Sequence, residues 1–390
     1  MIRRPWPYAD PGADGVTVGV CLSGNHRPSS DWALVDVSSD HSSIEQLHDA
    51  FADLARDGLT AALVVRRGDE VLLDVAVGAN PQGQPFTSST PVFLYSAVKP
   101  VAALTVLLAV ADGALTLEDP VARVWPEFGA HGKDRVTVAE ALAHGAAVPG
   151  WREQLDLAGF ADREAAARAL ADSAPWWTPG EPGEHATSYG HLLDAILLRA
   201  TGRDIESWWD EVAAAGIGVR LRPGTGAQAP WPLRDPDGWW RDRRLAATGI
   251  MGQFLRNPPD LLDVAVVNSP RMRQVIAPAV TGYGSAHDLA QLWSWWAGDA
   301  EAQRLGTTLR DTSLAPVLRG HDHVLAREVS WGLGPQVDGL TLGMGGAGGS
   351  FGVHLVGPEL SVGFVTADLS PPDRGDVLDP ALDALAAGRG

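Results

Sequence analysis

Strand-like sequence is confined to the two ends of this chain, and that separation restricts the fold more than any other feature. Near the start, the apolar runs 61–66 and 70–77 flank Gly68-Asp69, a hairpin signal. Near the end, 329–337, 340–343, 351–356 and 360–365 have strand character, the last two joined by Gly357-Pro358-Glu359. Between them lie helical patterns and loops, with helices expected at 97–112, 138–144, 163–172, 189–201, 205–215 and 286–296. Ile44, Leu47, Phe51 and Leu54 recur at helical spacing before the first strand, and a helix at 377–387 follows the last. A sheet drawn from both ends implies an α+β fold: an antiparallel sheet flanked by terminal helices, with a large helical insertion. The expected organisation is an N-terminal arm at 1–40 of no assigned role, a sheet domain from 41–95 and 325–390, and a mainly helical domain at 96–324, with the site at their interface.

Composition limits the partners. At 390 residues with 45% hydrophobic content, the chain can bury a substantial core. A net charge of -18 opposes binding to nucleic acid or an anionic membrane and suits small neutral or cationic ligands. Cys21 is the single cysteine, so no intramolecular disulfide or cysteine-based metal cluster is expected. Pro5, Pro7, Asp10 and Asp14 interrupt any apolar leader, and no run of eighteen apolar residues occurs; a cytoplasmic protein is expected.

Only two of the thirty basic residues are lysines, and Lys99 falls three residues after Ser96 in Leu94-Tyr95-Ser96-Ala97-Val98-Lys99-Pro100. With 21 serines and two lysines, chance would supply that spacing roughly 0.1 times. A guanidinium stays protonated, whereas a desolvated ammonium at a helix start loses its proton more easily and then serves as a base. Ser and Lys at i and i+3 share a helix face. Ser96 is therefore the candidate nucleophile and Lys99 its base; the competing description is a capping serine and a snorkelling lysine.

Two further clusters fit acyl chemistry. Tyr189 opens a helix in Thr187-Ser188-Tyr189-Gly190-His191, where a phenol beside an ammonium could exchange protons with Ser96, and His191 could hydrogen-bond in the same cluster; packing is the alternative for the tyrosine. The glycine-rich run 343–350 lacks the helix and lysine of a phosphate loop. Such a strand instead lets a substrate approach the backbone at Met344, Gly345 and Gly346, with the amides of Ala347 and Ser96 as an oxyanion hole.

These motifs, with the stretches SAVKPVAALTVLLAVADGALTLEDPVARVWPEF, VTVAEALAHGAAVPG, PWWTPGEPGEHATSYGHLLDAILLRATGR and GMGGAGGSFG, resemble the serine β-lactamase and penicillin-binding-protein superfamily. The likeness is to the class C β-lactamase-related group that includes family VIII carboxylesterases, over residues 43–370. It implies a β-lactamase/transpeptidase-like fold, Ser96 as nucleophile, Lys99 as base, Tyr189 as acid/base partner and 344–347 as the substrate edge. It also implies a small ester or related acyl donor and an acyl-enzyme, with water, an amine or an alcohol as acceptor. Hydrolysis and transacylation both remain open, with a β-lactamase or D-amino-acid peptidase and a non-catalytic binding protein behind them. Met344 stands where the family usually has Lys, His or Trp, and a thioether offers no cation to a substrate carboxylate. His191 stands where β-lactamases usually have Asn.

Other features carry less. Trp176 and Trp177 either line the acyl pocket or belong to the core. His321-Asp322-His323 reads as a solvated loop rather than a metal site, and His144 as a loop holder; neither metal nor cofactor is expected. Ser23-Gly24-Asn25 precedes the nucleophile and reads as coincidence.

Overall fold

The computed structural model describes residues 37–386 apart from 57, 81, 215, 225–227, 299–303 and 370–377. Residues 1–36, with Cys21 and the Ser23-Gly24-Asn25 run, lie outside the described residues. The first helix, α1 (Val37–Arg56), leads into the expected hairpin, β1 (Ala61–Arg67) and β2 (Glu70–Val77). After α2 (Lys99–Ala111), α3 (Tyr189–Thr201) and α4 (Ala286–Ala297) come β3 (Leu318–Asp322), β4 (Arg327–Trp331), β5 (Gln336–Asp338), β6 (Thr341–Gly345), β7 (Phe351–Leu355), β8 (Leu360–Thr366) and α5 (Asp379–Ala386).

All eight strands form one antiparallel sheet in the order β2-β1-β8-β7-β6-β5-β4-β3. The closure between chain ends is the β1–β8 ladder, which pairs Ala61 with Thr366 and Arg66 with Ser361. β1, β7 and β8 are buried along nearly their whole length, as central strands covered on both faces must be. On one face, Leu47, Phe51 and Leu54 of α1 and Leu382 and Leu385 of α5 pack on Leu63, Val65, Val353 and Phe364. On the other, α4 lies across β1, β7 and β8, close enough that a side chain at Gly363 would meet the carbonyl of Ala286. That face continues into the main core with α2 and α3.

Around the sheet, the structure differs from the sequence expectation as follows. The run 329–337 is two strands, broken where Gly334 (φ 124°) brings its backbone against Ala103 of α2. β3 carries Arg319, His321 and Asp322, an edge-strand composition that hides its pairing with β4. α4, grouped by sequence with the helical insertion, packs on the sheet.

Candidate active site

The nucleophile segment is a tight turn that feeds a helix. Tyr95 to Val98 form a 3-10 turn, α2 follows at Lys99, Pro100 occupies its first turn, and Gly113 (φ 77°) sits just beyond its end. Side chains three apart nearly eclipse on a 3-10 turn, which carries Ser96 onto Lys99: Lys99 Nζ lies 2.6 Å from Ser96 Oγ. Ser96 Oγ is also 3.4 Å from the carbonyl of Ala279. Tyr95, immediately before the serine, has φ 49°, and His144 and Ala147 have φ 62° and 56°. Left-handed backbone at non-glycine residues costs energy and collects at sites whose geometry the fold must impose.

Lys99 has a second partner that the sequence did not suggest. Its ammonium lies 2.8 Å from Glu184 Oε1, and both side chains are 0% exposed. Burial pulls Lys99 below the ordinary lysine range and pushes Glu184 above the ordinary carboxylate range, while their mutual attraction opposes both shifts. The amide of Glu184 donates to both carboxylate oxygens of buried Asp322, at 3.2 and 3.0 Å. Asp322 also accepts from the amides of Val324 and Leu325 and from Trp331 Nε1, so the end of β3 anchors the loop that carries Glu184.

Tyr189 and His191 are placed elsewhere. The Tyr189 hydroxyl donates to the carbonyl of Leu142 at 2.7 Å, its ring stacks on His144 at 4.3 Å, and burial drives its pKa well above the ordinary tyrosine value. The expected proton exchange with Ser96 is therefore not made, because α3 is buried on every side at its start and turns the phenol into packing. His191 is fixed against Phe160, whose carbonyl lies 2.8 Å from Nε2, and sits edge-on to Trp151; burial lowers its pKa to about 4. It belongs to the helical core and not to the substrate surface.

The histidines nearer the site act as braces. His144 Nδ1 accepts the amide of His185 at 3.1 Å, and His185 Nε2 accepts the amide of Val148 at 3.3 Å. Burial beside the Lys99 ammonium lowers His185 to about 3. Its Nδ1, together with Glu184 Oε2 and Thr187 Oγ1, is buried without a partner among the described residues.

The glycine-rich strand delivers an open edge. The ladder between β5 and β6 stops at Gln336 and Gly343, so Met344 and Gly345 pair only with β7, through Gly352 and Phe351. Gly346 packs under the nucleophile turn; a side chain there would lie 2.2 Å from the carbonyl of Leu94. Among the described residues no group accepts from the amides of Ser96 or Ala347. Met344 is buried in the main core cluster.

Trp176 packs edge-on to Phe254, with Arg152 over its ring, and Trp177 stacks on His323 at 4.8 Å. Together with Ala186 and Val324 they form a small cluster separate from the main core, next to the Glu184–Thr187 segment. His323 pairs with Glu181 at 2.7 Å, and among the described residues no group of three or more His, Cys, Asp or Glu is arranged to hold a metal. Glu184 and His185 are the residues that sequence reasoning missed. Glu184 lies 85 positions from its partner Lys99 in a Pro- and Gly-rich run, and no spacing rule links them.

The family model described as Beta-lactamase matches residues 46–387. The chain is 31% identical over 206 residues to the esterase EstB of Burkholderia gladioli, and 33% identical over 158 residues to the esterase/β-lactamase LipL of Mycobacterium tuberculosis. Those stretches are 47% and 39% of this chain and span only 52% and 36% of the two relatives. Among solved structures, a family VIII carboxylesterase superposes with a TM-score of 0.74 at 24% identity, covering 88% of this chain and 97% of the other. A penicillin-binding-protein homologue from Caulobacter crescentus gives 0.72 at 27% identity, with the same coverage. An open-edged sheet strand beside a buried serine–lysine turn is thus the local expression of a match that runs through most of the sequence, and the chain belongs to the β-lactamase family.

Proposed function

We propose that this protein is a serine acyl-transferring hydrolase acting on small esters. The observation that carries the reading is the 2.6 Å contact between Ser96 Oγ and Lys99 Nζ beneath two unpartnered amides. Ser96 attacks the acyl carbon as its proton passes to Lys99, and the amides of Ser96 and Ala347 receive the oxyanion. The leaving group departs with a proton, and water releases the acyl group. An ester is preferred to a carboxylate-bearing lactam because position 344 brings no cation to the strand edge: it is a methionine, and its side chain lies in the core. Two esterases among the relatives support the same substrate class.

The test is intact-protein mass spectrometry of the whole chain with a fluorophosphonate and a panel of short-chain esters. One adduct per chain on wild type, none on Ser96→Ala, and a transient acyl mass with esters are expected. Labelling that survives in a folded Ser96→Ala variant would overturn the assignment. Adding an amine and comparing acid with amide product separates hydrolysis from transacylation.

A further inference from the structure

We propose that Glu184 is the final acceptor of the Ser96 proton, reached through Lys99. The proposal rests on the acyl-transfer reading above and specifies how that site moves its proton. The geometry is a continuous buried line: Ser96 Oγ, 2.6 Å to Lys99 Nζ, 2.8 Å to Glu184 Oε1. An ammonium donating to both neighbours has no lone pair with which to receive a proton; as the neutral amine that burial favours, Lys99 turns its lone pair to the Ser96 hydroxyl and gives an N–H proton to Glu184 in the same motion. Among the described residues, Glu184 Oε1 is the acceptor placed to take it.

The other candidates are committed elsewhere. Tyr189 donates to Leu142, and the His144 and His185 rings each spend their one accepting nitrogen on the amides of His185 and Val148, so the second nitrogen of each neutral ring carries a hydrogen and cannot take the proton. Glu184 is held for the task, since Asp322 fixes its amide and its Oε2 has no competing partner. The charged and titratable groups facing this pair are Asp322 and Arg327 toward Glu184, and His144 and His185 toward Lys99. Burial raises the affinity of Glu184 for a proton, which suits a terminal base.

The steps balance. As Ser96 Oγ bonds to the acyl carbon, its O–H bond breaks and an N–H bond forms on Lys99. A different Lys99 N–H bond breaks, an O–H bond forms on Glu184, and the carbonyl π pair moves onto oxygen. On collapse, the bond to the leaving oxygen breaks, that oxygen takes a proton from Lys99, and Lys99 recovers one from Glu184. Water repeats the cycle on the acyl-enzyme. The number of charges stays constant, and one negative charge travels from Glu184 to the acyl oxygen and back.

The experiment measures fluorophosphonate labelling rate and p-nitrophenyl acetate turnover from pH 5 to 10 for wild type, Glu184→Gln and Glu184→Asp, with thermal melts as the folding control. Glu184→Gln should lose about 10² to 10⁴-fold in both rates, the range for removing a general base. Glu184→Asp should retain at least about tenfold more activity than Glu184→Gln, because it still accepts a proton. If Lys99 were the terminal base, removing the carboxylate would free its amine at lower pH. Glu184→Gln would then react as fast as wild type or faster, with its acid limb shifted downward, and that result overturns the proposal. Should the glutamine variant not fold, the aspartate variant decides: a rate equal to or above wild type counts against the relay, and a slower rate with the acid limb retained supports it. A wild-type chain that neither labels nor turns over ester defeats the acyl-transfer reading itself.

Discussion

The two lysines of this chain are both shut off from solvent and make opposite use of it. Lys99 and Lys133 are both 0% exposed, yet Lys99 contacts a hydroxyl and a carboxylate, whereas Lys133 donates to the carbonyls of Ala130, Ala171 and Ser173. Three carbonyls solvate an ammonium without offering anything that can change its protonation partner. Burial lowers Lys133 to about 8, but its contacts join the 126–132 turn to the helix Arg163–Asp172, and no nucleophile is among them. A serine and a carboxylate surround Lys99 with groups that can each give or take a proton. Loss of solvent contact alone does not set the two apart; the acceptors around each ammonium do.

Substitution of each lysine by methionine gives the sharpest separation. Lys99→Met should cost about 10² to 10⁴-fold in fluorophosphonate labelling and ester turnover while the chain remains folded, since the proton has no route out of Ser96. Retention of more than about a tenth of wild-type rate would break the comparison at its catalytic side. Lys133→Met should leave kcat/KM within about threefold but lower unfolding free energy by about 3 kcal/mol, as three carbonyls, one buried and two part-buried, lose their donor. A large kinetic defect with an unchanged denaturant midpoint would mean that Lys133 reaches the site.

A smaller effect is expected at Tyr189, which by geometry resembles Lys133 more than Lys99. Tyr189→Phe removes one hydrogen bond to Leu142 and should cost about 1 to 3 kcal/mol of stability, with turnover changed by less than about tenfold. Measured together, denaturation curves and kcat/KM decide the matter. A loss of 10²-fold or more without destabilisation would return the phenol to the proton path.

What the sequence made legible follows range. The hairpin 61–77 and the Ser96–Lys99 pair depend on neighbours within a few residues, where backbone period dictates which side chains meet. The split sheet was legible from the distribution of strand patterns along the chain. Glu184 was not, because its role depends on a loop folding back over 85 residues and on Asp322 in a distant strand. Tyr189 was misplaced for a related reason: a tyrosine at a helix start looks the same in sequence whether its hydroxyl meets a serine or a carbonyl, and only the packing of Leu142 decides. The division of 329–337 was hidden because Gly332 and Gly334 break the strand through contacts with remote segments, the 313–315 backbone and Ala103.

The early end of β5 gives the sheet a third edge, inside the molecule. Outer edges are where sheets risk recruiting strands from other chains. Here the unpaired stretch is only Met344 and Gly345, closed at one end by Gly343 pairing with Gln336 and at the other by Gly346 under the nucleophile turn. An extended polypeptide needs several consecutive pairings to hold its register, and this slot cannot supply them. A single carbonyl flanked by short groups needs none, so the early end of one strand suits the small ester proposed above and gives an extended chain no register to hold.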